Sequence, residues 1–269
     1  MTRVRPPAVA GLFYPDDASS LAAAVEAYLA EAAEGAHAVP AARAGGAIRA
    51  IIVPHAGYIY SGPIAGSAYA RLAALKGRIR RVVLIGPAHR VALRGLAVAR
   101  AEAFATPLGN VPVEREGVER ALALPQVRVL DEAHRLEHSL EVQLPFLLAA
   151  LGPVPVVPLV AGEASAAEIA EVLETLWDAE TLVVVSSDLS HYHDYGTARR
   201  MDTATSAAIE ALDERAIGED QACGRVPIAG LLRLARKRGL RARTVDLRNS
   251  GDTAGPRERV VGYGAYVFE

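Results

Sequence analysis

Three short apolar runs in this chain each stop at a break and are followed by a histidine. Ile51-Ile52-Val53 leads into Pro54-His55, Val82-Val83-Leu84-Ile85 into Gly86-Pro87-Ala88-His89, and Leu182-Val183-Val184-Val185 into Ser186-Ser187-Asp188-Leu189-Ser190-His191. Runs of this length read as buried strands, here over 49–53, 81–85 and 181–186. Between them the apolar spacing turns helical. A helix is expected over 19–34, with Leu21, Val25, Tyr28 and Leu29 on one face and Asp16 or Asp17 as cap. Others are expected over 62–75, with Ser61 as N-cap and Pro63 in the first turn, and over 114–124. The segment 165–177 has Ser165 as cap and Glu168 at the capping-box position. Further helices fall over 197–212 and 227–237. Alternation predicts strands over 95–99, 111–113, 240–247 and 260–268, with a turn over 106–110. The proline-broken run 154–160 reads as an edge or bent strand. Residues 35–46 read as a loop, and the proline-punctuated stretch 5–15 as an irregular surface arm. Strands alternating with helices predict a single α/β domain over 1–269, with a central, mainly parallel sheet flanked by helices.

Composition narrows the function classes. The 269 residues are 51% hydrophobic and 22% charged, enough for a substantial core. A net charge of -2 provides no field for nucleic acid or a membrane surface. No apolar run reaches membrane-spanning length, and the first residues lack an apolar signal core, so a cytoplasmic protein is expected. Cys223 is the only cysteine, which excludes an intramolecular disulfide and suits a reducing compartment. Abundant Ala and Arg with few Asn, Gln and Lys fit either a thermophile or GC-rich coding.

In a parallel sheet, strand carboxyl ends share one edge, where ligands bind, so His55, His89 and His191 form a candidate metal or acid/base constellation. A further group, His134, Glu137, His138 and Glu141, stands at helical spacings within 131–148. It lacks His-Glu-x-x-His, which excludes the helical zinc-protease pattern. Glu141 reads as part of a buried polar network, and His138 as either that or pocket lining. Ser61, Ser186 and Ser187 lack the Gly-x-Ser-x-Gly elbow of a serine hydrolase. His37, His193 and Asp194 read as exposed loop residues.

Arg5 to Pro15, Pro54-His55-Ala56-Gly57-Tyr58, Gly86-Pro87-Ala88-His89, Glu137-His138-Ser139-Leu140-Glu141 and Ser187-Asp188-Leu189-Ser190-His191 together resemble the Memo family, in order and over nearly the whole chain. That family's fold is similar to that of class III extradiol ring-cleavage dioxygenases, which are non-haem iron enzymes. The resemblance implies a metal held by His55, His89 and Cys223, with Fe2+ as the first expectation and copper as its rival because a thiolate is soft. It places His191 at the acid/base position with Asp188 beside it. Beside these, Tyr58, Arg90 and His138 read as substrate-pocket residues. Ala88 and Arg90 depart from the family's usual Gly-Pro-Ser-His-His, and Arg90 either offers a guanidinium to an anionic substrate or lies in solvent. Two functions follow: a redox metalloenzyme of unknown substrate, or a non-catalytic binding module, a signalling effector that uses the same pocket for a peptide or carboxylate ligand. The resemblance also implies association with a radical-SAM protein.

Overall fold

The structure, a computed structural model, describes residues 3–34 and 47–269; the loop expected over 35–46, with His37, lies outside the described residues. The first half of the chain runs β1 (Val4–Arg5), α1 (Ala18–Glu34), β2 (Ala50–Val53), α2 (Tyr58–Tyr69), β3 (Arg81–Pro87), β4 (Leu96–Val98), β5 (Ala103–Thr106), β6 (Gly109–Pro112), α3 (Arg115–Leu122) and β7 (Val127–Val129). It continues with α4 (Asp131–Arg135), α5 (Leu144–Leu151), β8 (Val156–Ala161), α6 (Ala166–Leu176), β9 (Thr181–Ser186), β10 (His191–His193), α7 (Tyr195–Glu210), α8 (Arg225–Arg238), β11 (Ala242–Asn249) and β12 (Val260–Phe268).

Among the described residues the main sheet has nine strands, ordered β10-β12-β2-β9-β3-β8-β4-β7, with β11 also paired to β12. Its centre, β2-β9-β3-β8, is parallel, as the buried apolar runs require. The flanks are antiparallel where β12 meets β2 and β4 meets β8, so the sheet is mixed rather than purely parallel. A small sheet, β1-β5-β6, contains a hairpin, β5-β6, built around the turn expected over 106–110. Alternation along each central strand divides the core. Ile51, Val53, Val82, Leu84, Leu182 and Val184 face α1, α2 and α5. Ala50, Ile52, Val83, Ile85, Val183 and Val185 face α6 and α8.

Local signals set several element ends. Asp17 accepts from Ser20 N, and Ser165 with Glu168 forms the expected capping box. Asp194, expected as an exposed loop residue, instead caps α7 through Thr197 N. Elsewhere packing overrides the expectation. Helix α2 begins at Tyr58, not at 62: Ser61 is no cap, its hydroxyl donating to Ala56 O, and Pro63 sits inside the helix. Strand β8 is interior despite Pro158. The β4 ladder reaches only Val160 and Ala161, so the missing proline N–H leaves no acceptor of β4 unpaired.

The stretch 131–148 is broken, contrary to its helical spacing. Helix α4 ends at Arg135, residues 136–140 cross the strand ends, and helical structure resumes at Glu141. Glu141 is fully buried beneath the site, as expected of a polar network. It pairs with Arg5 and accepts from Ala8 N, Val9 N and Tyr14 OH. The arm 5–15 is therefore anchored inward by a buried carboxylate, rather than laid over the surface as expected. Its tip, Phe13, accepts Tyr58 N at the start of α2.

Candidate metal centre

The three histidine-bearing strands are neighbours, β2-β9-β3, with Val53 opposite Ser186 and Ile85 opposite Val185. Their carboxyl ends therefore meet on one edge, which opens into a cavity of about 710 Å³ lined by His55, His89, His138, Asp188, His191 and Cys223 among others.

His55 follows β2 and is buried. Its backbone N–H donates to Asp188 Oδ1 at 2.7 Å, and its Nδ1 lies 2.8 Å from Ser186 Oγ. The Ser186 hydroxyl donates to Ser139 O at 2.6 Å, so its one hydrogen is used and it accepts from His55. Gln143 Nε2 donates both to Ser186 Oγ and to Pro54 O, while Gln143 Oε1 accepts from Tyr69 OH. This chain of partners puts the His55 proton on Nδ1 and leaves a lone pair on Nε2, towards the cavity. Burial first, then the neighbouring His89, lowers the His55 pKa to about 3, so the ring is neutral at pH 7.

His89 is held in the same sense. Its Nδ1 donates to Glu137 Oε1 at 2.9 Å and its backbone N–H to Glu137 Oε2 at 2.6 Å. Glu137 also accepts from His138 N and Ser139 N. Burial raises its pKa, but the hydrogen bonds and charge of His89 outweigh this and bring it to about 2. The break after α4 makes this arrangement, because residues 136–140 bring Glu137 and His138 over the strand ends. His138 stacks on His89 with ring centroids 4.6 Å apart and stands edge-on to His55 at 5.4 Å. Its Nδ1, 3.4 Å from Glu137, is buried without a hydrogen bond, so this ring is the least constrained of the three. Burial lowers its pKa to about 4.

One ligand atom from each of His55, His89 and His138 lies within 4.8 Å of the others, a group that could hold a metal ion. The residues fit such an ion: two rings are oriented from behind, the third is free to adjust, and His55 and His138 are neutral. The expected set was His55, His89 and Cys223, so His138 moves from pocket lining into the group. Cys223 is not part of the group, but its Sγ lies 3.4 Å from His55 Nε2. Gly224 makes that approach available, since a Cβ there would stand 2.6 Å from Ser187 Cβ. Burial, then Asp188, pushes the Cys223 thiol up to about 12.

Asp188 and His191 line the same cavity. Burial raises the Asp188 pKa. His191 Nδ1 donates to Leu189 O at 2.7 Å, leaving Nε2 as acceptor. Two expected pocket residues are elsewhere. Tyr58 is buried in the core with its hydroxyl on Val142 O, because α2 starts there and turns the ring inward. Arg90 is exposed and lines no part of this cavity. Sequence reasoning missed Phe13 and Arg259, which do line it. Both arrive from segments remote in sequence with no strand-end signal; only the resemblance of the arm 5–15 hinted at Phe13.

The chain matches the model of the Memo-like protein family over residues 5–267. A MEMO1 family protein of Archaeoglobus fulgidus is 36% identical over 280 residues, covering 98% of this chain and 99% of the relative. One of Aquifex aeolicus is 35% identical over 278 residues, covering 99% of each. Among solved structures, an uncharacterized protein of Escherichia coli K12 aligns with a TM-score of 0.49 and 17% identity over 80% of this chain and 99% of its own, a likeness too slight to carry an argument. Among the described residues no helix is long and apolar enough to cross a membrane.

Proposed function

This chain belongs to the Memo-like protein family, and from that premise we propose that it is a metalloprotein of redox type, its ion held by His55, His89 and His138 with Cys223 in reach as a further donor. The observation that carries the reading is the pair of oriented imidazoles, His55 backed by Ser186 and His89 by Glu137, beside a third ring within 4.8 Å. The resemblance of the family's fold to non-haem iron dioxygenases makes Fe2+ the first candidate, and the soft thiol in reach makes copper the second. Bound iron would supply Lewis acidity and an electron for oxygen chemistry. The residues around it supply the rest. His191 Nε2 accepts a proton from a substrate hydroxyl, and Asp188, its pKa raised by burial, holds the His55 backbone in place by accepting its N–H. Phe13, Tyr60 and Tyr263 wall the cavity and exclude water from a bound ligand.

The test is metal analysis of anaerobically purified protein, followed by titration of His55→Ala, His89→Ala and His138→Ala and an oxygen-uptake assay with catechols. One tightly bound ion, lost in each variant, with oxygen consumption, is the expected result. Unchanged metal affinity in all three variants overturns the reading, and a bound ion with no turnover of any catechol removes the dioxygenase-like part of it.

A further inference from the structure

The metal reading leaves one part of the cavity unused. The cavity is also lined by Tyr60, Tyr192, Tyr263 and Pro256, and Arg259 is the only Lys or Arg among its described lining residues. Arg259 is exposed and enters no ion pair among the described residues; its guanidinium lies over the Tyr192 ring, 5.1 Å from the centroid. Nearby arginines are differently engaged. Arg257 covers Tyr195 at 4.5 Å, and Arg248 is tied to Asp246. The fold maintains the Tyr192–Arg259 pair at some cost. Tyr192 has a φ of 63°, a left-handed conformation that bulky residues rarely adopt. It is held there because His191 and His193 on either side pair with Val261 and Val260 of β12, just after Arg259.

We propose that Arg259 is the anion-binding residue of this pocket and that the ligand is a small aromatic carboxylate, its ring among the tyrosines and its carboxylate on the guanidinium. This deepens the proposed function by naming a ligand class. It rests on the pocket of that reading, not on the ion. A single guanidinium fork matches the two oxygens of a carboxylate and balances one negative charge. A phosphate dianion would need further donors, and among the described residues the cavity lining offers no second Lys or Arg. The one acidic side chain of the lining, Asp188, is buried against His55 N. A volume of about 710 Å³ accommodates a ligand that reaches from the histidines to the rim. The guanidinium stacked on Tyr192 is already oriented, so little side-chain freedom is lost on binding. The anion role that was one of two readings for Arg90 thus passes to Arg259.

The test is a chemical-shift titration of the whole protein, metal-free and Zn2+-loaded, with phenylacetate, phenylacetamide and phenyl phosphate. Phenylacetate should bind at least about tenfold more tightly than its neutral amide, and added salt should weaken the acid alone. Arg259→Gln should weaken phenylacetate by about 10- to 100-fold and abolish the discrimination, with Arg259→Lys in between. Equal affinity for acid and amide, no binding of either, unchanged phenylacetate affinity in Arg259→Gln, or a preference for phenyl phosphate each overturns the proposal. Zn2+ titration of the same samples reads the histidines separately. Acid-over-amide discrimination without Zn2+ binding defeats the metal reading alone, and Zn2+ binding without discrimination defeats the carboxylate site alone.

Discussion

Ser186→Ala tests whether the metal centre is built from behind. Ser186 is not among the residues that line the cavity, yet its hydroxyl accepts the His55 Nδ1–H at 2.8 Å and Gln143 Nε2 at 2.8 Å while donating to Ser139 O at 2.6 Å. Alanine removes one small oxygen and leaves a buried imidazole N–H without a partner. A buried unsatisfied donor costs about 1–3 kcal/mol, so thermal stability should fall. Gln143 keeps Pro54 O and Tyr69 but loses one acceptor, so the damage falls on His55, Ser139 O and one N–H of Gln143. The effect on metal is larger than that of a mere packing defect. With nothing holding the proton on Nδ1, the proton can move to Nε2, the atom that must offer its lone pair. Removing such a supporting partner typically weakens metal affinity about 10- to 100-fold. The assay is competition with a chelator for Zn2+, read beside the nitrogen chemical shifts of the His55 ring, which report the tautomer. Ser190→Ala is the control: Ser190 is as buried, its backbone N–H donates to Asp202, and among the described residues its hydroxyl makes no hydrogen bond to any of the three histidines. Ser190→Ala should leave metal affinity unchanged. Equal affinities for wild type and Ser186→Ala, or an Nε2–H tautomer already present in the wild type, would refute the argument.

Acid should destabilise the fold through its buried histidines, and His134 allows this to be read away from the metal. Burial lowers its pKa to about 4, against 6.5 for an ordinary histidine, and its Nε2 donates to Ala97 O. The unfolded chain therefore binds the extra proton between these values. The stability it contributes, on the order of 3 kcal/mol, is present above about pH 6.5 and lost as the pH falls through about 4. His134→Gln should flatten the decline of the melting temperature over that window, and an identical pH profile counts against the assignment. Gly66→Ala should destabilise although alanine favours a helix by about 1 kcal/mol. A Cβ on Gly66 would stand 2.6 Å from Tyr28 O, where α2 crosses α1, and overpacking of that kind costs about 1–3 kcal/mol. A variant that melts at or above the wild-type temperature in a calorimeter shows that the helices separate freely.

What the sequence determined by itself was what neighbouring residues decide. The apolar runs 51–53, 82–85 and 182–185 read as buried strands, and the structure sends their successive residues alternately to its two cores. Because adjacent parallel strands end on one edge, a histidine after each run already implied that His55, His89 and His191 meet, and all three line one cavity. The cap at Ser165 was equally legible, since its partners lie within one helical turn. The resemblance added Cys223, which local pattern alone could not connect to His55. Tertiary structure decided the rest, through contacts between segments far apart in sequence. Helix α2 starts at Tyr58 because the arm's Phe13 supplies the acceptor for Tyr58 N. The helical spacing of 131–148 gives way after Arg135, where Arg5 takes the carbonyls of His134 and Glu137 and the Glu137 carboxylate turns to His89. That break makes His138 part of the metal group. Pro158 sits in an interior strand because β4 is too short to need its N–H. Arg259 reaches the rim because β12 pairs with β10. Each of these outcomes turns on a hydrogen-bond partner or a packed ring supplied from tens of residues away, and a pattern read within a few residues carries no trace of that partner.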